Sequence, residues 1–162
     1  MGEKRIKMGK IFKVMSSPIG PLTLAEHDGA LTHLLFNGEV PKEYIEGESE
    51  LLQKAEVELS EYFEGARREF DLPLEPSGTE FQQRVWAALL DIPYGETRSY
   101  KDIAIAAGCP RGFRAVGMAN HNNPISIIVP CHRVIGSGGG LTGYGGGLPI
   151  KEYLLGLERK YS

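Results

Sequence analysis

The segment IIVPCHRVIG, residues 127–136, places one of the two cysteines of the chain beside one of its four histidines. A cysteine attacks carbon as a thiolate, and a free thiol with a pKa of about 8.5 is only slightly ionised at neutral pH, so a base must assist it. His132 adjoins Cys131, but neighbouring side chains on an extended chain point in opposite directions. It would therefore act through a bridging water or a bend after Pro130. The two residues leave both a thiol enzyme and a buried packing cysteine open.

Length and composition are those of an ordinary globular protein. The 162 residues suffice for one domain or two small ones, and 41% hydrophobic and 24% charged residues are typical of a soluble fold. The sequence has no apolar run long enough to span a bilayer and no apolar signal core near its N-terminus. We therefore expect a cytoplasmic protein whose cysteines stay reduced.

Charge is distributed unevenly along the chain. Residues 1–78 carry 9 Lys/Arg and 15 Asp/Glu, whereas residues 79–162 carry 9 Lys/Arg and 6 Asp/Glu. Five basic residues lie between Arg98 and Arg133, against one acidic residue, Asp102. This pattern indicates a basic face that could meet phosphate, although a chance clustering of solvated charges would produce it as well.

The first half shows three strand patterns and one helix pattern. The runs KIFKVMSS, LTLAEH and LTHLLF are β-like, and an Asp-Gly hairpin signal precedes the third. Apolar residues recur at spacings of three and four between Glu50 and Glu64, which predicts a helix that Gly65 ends. The alternation in EFDLPLE, residues 69–75, predicts a further strand, and LEPSG then separates the halves.

The second half is mainly helical. Thr79 with Gln82, and Ser99 with Asp102, form capping boxes that start two helices, and a third helix is predicted to begin near residues 111–112. A tight turn that contains glycine joins the second and third of these helices. This arrangement favours a helix-turn-helix, although a plain helical hairpin fits the same pattern.

The third of these helices, RGFRAVGMANH, is rich in small residues, which are Gly112, Ala115, Gly117 and Ala119. Glycine costs about 1 kcal/mol relative to alanine inside a helix, so its presence indicates close approach of another backbone, either protein or nucleic acid. The apolar run 125–129 then predicts a buried strand. A Gly-rich loop follows, and PIKEYLLGLERK predicts the closing helix.

Several segments together resemble the O6-alkylguanine-DNA alkyltransferases, also called methylated-DNA–protein-cysteine methyltransferases. PCHRV is similar to the active-site signature of that family, and its successive blocks are matched by FQQRVWAALLDIPYGETRSYKDIA, RAVGMANHNNPISIIVPCHRVIG and GYGGGLPIKEYLLGLE. The segment SSPIGPLTLAEHDGAL resembles the family's N-terminal domain. The resemblance implies an α/β protein with two domains. Residues 1–76 would form a ribonuclease-H-like antiparallel sheet domain, and residues 77–162 a mainly helical domain with a helix-turn-helix and the chemistry.

The resemblance also implies roles for five catalytic residues. Cys131 matches the nucleophile that takes the alkyl group from O6 of guanine by in-line displacement. His132 matches the base, which acts through a water, and Glu158 matches the acid that orients it. Asn123 matches the asparagine that braces the active-site turn. Tyr100 matches the tyrosine that donates to guanine N3 and so eases departure of the base.

The implied substrate is double-stranded DNA containing O6-alkylguanine, whose target nucleotide must leave the stack to be reached. Arg114 matches the arginine that takes the place of the flipped base, and the small residues of its helix suit a minor groove. The residues expected to bind substrate or DNA are Arg114, Ala115, Gly117, Tyr144, Val134, Gly145, Arg111 and Arg133, with Lys101 and Arg98 as further candidates for phosphate contact.

A thioether is stable in water, so the resemblance implies one irreversible turnover per chain, without a cofactor. We expect a monomer. We also expect no metal, because the zinc of some family members needs ligands in the N-terminal half, which here has no cysteine. Gly145 stands where the family often has serine, which leaves the alkyl-size preference open.

The alternatives are a cysteine hydrolase, a transcription factor and a non-catalytic alkyltransferase-like protein. Cys131 argues against the last, because those relatives carry tryptophan there.

Overall fold

The computed structural model describes residues 9–140 and 143–162. The chain divides into two compact units, Met1–Ser77 and Gly78–Ser162. Among the residues described, the first unit has a four-stranded sheet with one helix, and the second unit is mainly helical. This is the mixed α/β architecture that the sequence predicts. No helix within the described ranges is long and apolar enough to cross a membrane.

The sheet of the first unit consists of β1 (Ile11–Met15), β2 (Leu22–His27), β3 (Ala30–Phe36) and β4 (Ile45–Glu46), in the order β3-β2-β1-β4. The strands β1, β2 and β3 pair antiparallel, and β4 pairs parallel to β1. The Asp-Gly signal is confirmed as the β2–β3 hairpin turn. Asp28 and Gly29 both have positive φ, 53° and 82°, the conformation that matches the twist of the flanking strands.

The helix α1 (Glu50–Phe63) lies against this sheet, as its apolar periodicity predicts. Ser49 caps the N-terminus, where its hydroxyl accepts a hydrogen bond from the amide of Leu52 at 3.1 Å. The same hydroxyl donates to the buried carboxylate of Glu26 in β2, which ties the start of the helix to an inner strand. The helix stops before Gly65, whose φ of 80° is the left-handed conformation expected after a helix end.

The strand predicted over residues 69–75 is wrong. This segment makes only one parallel bridge, between Leu74 and Leu31, flanked by two backbone hydrogen bonds of 2.8 Å. Two features prevent a longer ladder. Pro73 has no amide hydrogen to donate, and the amide of Asp71 already donates to the carboxylate of Glu58.

The second unit contains α2 (Glu80–Leu90), α3 (Tyr100–Ala106), α4 (Phe113–His121) and α5 (Leu148–Tyr161). Two short parallel strands, β5 (Arg98–Ser99) and β6 (Val134–Ile135), join the start of α3 to the loop after Cys131. Both predicted capping boxes are present, at the starts of α2 and α3. α3 and α4 pack against each other across a short turn, and Trp86 of α2 holds α4 by donating to the carbonyl of Ala119 at 2.9 Å.

The buried strand predicted over residues 125–129 is also wrong, although most of the run is buried. The chain instead makes compact turns, in which the amide of Val129 donates to the carbonyl of Ile125 at 3.0 Å. Ile127 adopts a φ of 72°, which costs a β-branched residue about 1–3 kcal/mol. Asn123 holds this turn, because its amide donates to the Val129 carbonyl and its oxygen accepts from the Ile125 amide. Side-chain bonds to the backbone therefore replace a strand ladder.

Candidate active site

Cys131, His132 and Arg133 form one turn of 3₁₀ helix directly after Pro130. The chain is therefore bent after Pro130, which is one of the two arrangements predicted to let His132 assist Cys131. Their side chains are almost fully buried, with exposed fractions of 3%, 0% and 6%. A 3₁₀ turn directs successive side chains about a third of a revolution apart, so the three residues meet different neighbours.

Glu158 of α5 is the centre of a buried polar network and is itself 1% exposed. Its carboxylate contacts Nε2 of His132 at 2.7 Å and accepts two hydrogen bonds from Arg133, from Nε at 2.8 Å and from Nη2 at 3.0 Å. The amide of Gly95 also donates to it, at 3.3 Å. Arg133 donates a further bond, at 2.7 Å, to the carbonyl of Ile92.

The protonation of His132 follows from this network. Burial alone would raise the pKa of Glu158, but the hydrogen bonds and charges of His132 and Arg133 outweigh it and hold that pKa well below its usual range. A carboxylate only accepts hydrogen bonds, so Nε2 of His132 must carry the hydrogen. Burial lowers the pKa of His132, with Glu158 acting in the opposite direction, so the imidazole is neutral at rest. Its other nitrogen, Nδ1, has no hydrogen-bond partner among the described residues, so its lone pair is available to accept a proton.

The Cys131 thiol is held by side chains from two segments, the turn of residues 123–126 and the segment that contains Tyr144. Burial raises its pKa, whereas hydrogen bonds with the side chains of Asn123, Tyr144 and Ser126 favour the thiolate. Its carbonyl accepts a bond from the side-chain amide of Asn120 in α4, at 3.3 Å. The thiol is therefore neutral at rest and surrounded by donors that stabilise the anion once a base removes the proton.

The candidate DNA-binding residues of α4 lie on its solvent-facing side. Arg114 and Ala115 are exposed, Gly117 is half-buried, and Arg111 is exposed just before the helix. Arg114 and Gly117 also line a cavity of about 470 Å³, whose other lining residues are Tyr100, Lys101, Phe113 and Ser137. The structure thus brings Tyr100 and Arg114 to one cavity, beside the helix that carries the basic residues.

The remaining candidates lie nearer the thiol. Val134 is fully buried directly after the 3₁₀ turn, and Tyr144 is among the partners of Cys131. Gly145 is exposed, and a Cβ built on it would lie 3.7 Å from the carbonyl of His121 at the end of α4. A small side chain at position 145 would therefore be in ordinary contact distance of α4.

Both units of the chain match a known protein family. Residues 80–160 match the model described as 6-O-methylguanine DNA methyltransferase, DNA binding domain, and residues 10–76 match its ribonuclease-like domain. The chain belongs to the 6-O-methylguanine DNA methyltransferase family. The predicted resemblance is confirmed.

Relatives within this family are similar over nearly their whole length. The methylated-DNA–protein-cysteine methyltransferase of Methanosarcina barkeri is 53% identical over 152 residues, which cover 91% of this chain and 96% of the relative. The protein of the same name from Mycobacterium tuberculosis is 52% identical over 151 residues, 91% of this chain and 92% of the relative. The solved structure of Mycobacterium tuberculosis OGT in complex with DNA is similar with a TM-score of 0.88 and 51% identity, and 94% of each chain is covered.

In this family member Arg133 does not fit its predicted role as a DNA contact. Its guanidinium is buried, donates to Glu158 and Ile92, and lies 5.7 Å from the ring centre of Tyr94. A phosphate would have to displace a buried carboxylate to reach it. Arg133 instead fixes the position and charge of Glu158, which in turn orients His132.

Lys151 is a site residue that the sequence analysis missed. It is fully buried on α5, and its Nζ donates to the carbonyl of Val134 at 2.6 Å. Burial lowers its pKa, and the nearby Cys131 acts in the opposite direction. The signal was present in the helical spacing, because Lys151 lies seven residues before Glu158 and four before the buried Leu155. A charged residue on an apolar stripe marks a buried polar site.

Proposed function

We propose that this chain repairs alkylated DNA by transferring the alkyl group, chiefly methyl, from O6 of guanine to Cys131. The observation that carries the proposal is a buried Cys131–His132 turn linked to Glu158, in a chain about half identical to full-length methylated-DNA–protein-cysteine methyltransferases. The family supplies the reaction, and the site supplies a nucleophile, a neutral base and a carboxylate that orients the base.

In the proposed step, Sγ of Cys131 forms a bond to the alkyl carbon while the bond from that carbon to O6 breaks, and its electron pair passes to the purine. The thiol proton moves through a water to Nδ1 of His132, and Glu158 stabilises the imidazolium. Tyr100 supplies a proton at N3, so that guanine leaves neutral, and recovers it from the imidazolium through solvent. The products are a thioether and guanine, and the chain is consumed because no second nucleophile removes the alkyl group.

Duplex DNA containing O6-alkylguanine is the proposed substrate, and α4 the proposed DNA-binding helix. The reacting guanine is inaccessible inside the stack, so it must be extruded, which costs a few kcal/mol. Arg114 is exposed beside the cavity that contains Tyr100 and is suited to occupy the gap left by the base. Arg111 and Lys101 are proposed to contact phosphate. Arg98 is less suited, because it already pairs with Glu96 at 3.1 Å.

The first unit is proposed to be a support domain, and the second unit to carry both DNA binding and transfer. We further propose that the protein acts as a monomer in the compartment that holds the DNA. One monomer is chemically sufficient, because the second unit by itself contains Cys131, His132, Glu158 and the basic helix.

A mass measurement tests the proposed function. The chain is mixed with a duplex oligonucleotide that contains one O6-methylguanine, and intact and peptide masses are then recorded. We expect one methyl group per chain, on the peptide that contains Cys131, and no further turnover with excess DNA. Cys131→Ser should bind the same duplex without gaining mass. Tight binding by the wild-type chain without a mass gain would contradict the proposal and indicate a damage-recognition protein.

Gly117→Ala should separate stability from DNA binding. A Cβ at this position would lie 3.9 Å from Cε1 of Tyr100, an ordinary contact, so the helix accepts it and gains about 0.5–1 kcal/mol from the loss of a helical glycine. The same methyl group occupies space at the proposed DNA surface, so lesion-duplex binding should weaken about ten-fold. Denaturant unfolding and binding titrations, both in a Cys131→Ser background, measure the two effects. Unchanged binding would place DNA elsewhere.

A further inference from the structure

Phe113 is a half-exposed aromatic residue on the helix that carries Arg114. It is the first residue of α4, and 51% of its surface is exposed. Phenylalanine has a lower helix propensity than alanine, and an exposed ring gains little from burial of apolar surface. The neighbouring positions 112, 114 and 115 hold glycine, arginine and alanine, so the ring projects among small and basic residues at the start of α4. Met118, 61% exposed, is the other large apolar side chain exposed on this helix, and it does not line the cavity described below.

The surroundings of Phe113 indicate what the ring could bind. It lines the same 470 Å³ cavity as Tyr100, with Lys101 and Arg114 as further lining residues. Gly117 lies one helical turn after Phe113, on the same face, and a Cβ built on it would lie 3.9 Å from Cε1 of Tyr100, so the glycine leaves space beside that ring. The cavity thus combines two aromatic side chains with two cations. A nucleotide has the complementary chemistry, since it joins an anionic phosphate to an apolar sugar face and a flat base.

We propose that Phe113 packs against the deoxyribose of the nucleotide that has left the DNA stack and holds it at the mouth of the cavity. The inference rests on the proposed function, which places the extruded guanine beside Tyr100. Cys131 is buried whereas Phe113 is exposed on the DNA-facing helix, so the ring lies towards the backbone of the nucleotide and not at the reacting carbon. Phe113 therefore acts in positioning: it stabilises the extruded state and makes no contact with the reacting atoms.

This role predicts a specific pattern of losses for Phe113→Ala. Binding to a duplex that contains O6-methylguanine, measured in a Cys131→Ser background, should weaken roughly ten-fold, the factor expected when the exposed half of a phenylalanine ring loses its contact. Binding to the undamaged duplex should change less than about two-fold, because no nucleotide is extruded there. With Cys131 intact, methyl transfer from the duplex should slow by the same factor, while transfer from the free base O6-methylguanine stays at the wild-type rate.

Leu90→Ala is the matched control. Leu90 is a large apolar residue of the same unit, 50% exposed, and does not line the cavity. This variant should match the wild type in all four measurements. Phe113→Leu keeps apolar contact with a sugar and should remain within about three-fold of the wild type. Thermal unfolding of all variants should be unchanged, because both side chains lie at the surface.

The outcomes separate the two proposals. If Phe113→Ala retains the wild-type binding and rate on the lesion duplex, or loses equal activity on the duplex and the free base, the inference about Phe113 is wrong and the proposed function stands. The inference is equally overturned if binding to undamaged DNA falls as far as binding to the lesion. If the wild-type chain transfers no methyl group from either substrate, the proposed function fails, and the inference fails with it.

Discussion

Glu158→Gln should lower the free energy of unfolding of the second unit by about 3–5 kcal/mol, the usual cost of removing one partner from a buried charge network. Glu158 accepts two hydrogen bonds from a buried guanidinium and faces a buried imidazole. Glutamine has nearly the same shape but offers only one acceptor oxygen and no charge, so Arg133 is left as an uncompensated buried cation. Fluorescence of Trp86, the one tryptophan of the chain, reports unfolding of this unit.

Two further variants test the physical cause of that loss. Glu80→Gln removes a carboxylate of the same unit that pairs with Arg84 at the surface, and it should change stability little, because exposed ion pairs contribute little. The double variant Arg133→Met/Glu158→Gln should recover part of the loss, since no buried guanidinium remains without its partner. If Glu158→Gln alone is as stable as Glu80→Gln, the network does not hold the fold together.

The same network should produce acid sensitivity in two steps. The pKa of His132 is lowered from its ordinary value of 6.5, so the unfolded chain binds that proton more readily, and stability falls as the pH drops below about 6.5. The pKa of Glu158 is lowered from 4.5, so its contribution is complete above that value and is lost as the pH falls below it. Denaturant titrations of the wild type between about pH 3 and 8 should show both declines. In Glu158→Gln the second decline should be smaller.

Local signals in the sequence predicted local structure well. The capping boxes at Thr79 and Ser99 and the Asp28–Gly29 turn depend on residues within four positions of one another, and the structure contains all three. Cys131 and His132 were identified in the same way, because the motif is contiguous. The roles assigned to them remain predictions.

Spacing alone did not predict features that depend on distant residues, and the contact between His132 and Glu158, 26 positions apart, was expected only from the family resemblance. The bond from Arg133 to Glu158 spans 25 positions and the bond from Lys151 to Val134 spans 17, so neither burial nor pairing could be read from spacing. A basic residue in an otherwise basic segment therefore suggested DNA contact. Residues 125–129 were misassigned for a related reason, since a short apolar run has the same periodicity in a strand and in a buried turn. Here the side-chain hydrogen bonds from Asn123 to the backbone favour the buried turn over the strand.

His132→Gln should slow methyl transfer by about 10²–10⁴-fold at neutral pH, the usual contribution of a general base. The glutamine amide can still donate a hydrogen bond to Glu158 in place of Nε2, so we expect the buried network and the fold to be preserved. The basic nitrogen Nδ1 has no counterpart in glutamine. Burial raises the pKa of Cys131, so without a base the thiol stays protonated at neutral pH.

The pH dependence of the rate separates this loss of a base from a general loss of structure. In His132→Gln the thiolate must form by direct loss of its proton to solvent, so the rate should rise about ten-fold per pH unit up to the raised pKa of the thiol. In the wild type, neutral His132 accepts the proton, so the rate should level off at lower pH, above the lowered pKa of that histidine. Single-turnover mass measurements on the lesion duplex give both profiles. Parallel profiles, with the variant slower at every pH, would mean that His132 supports the fold and takes no proton.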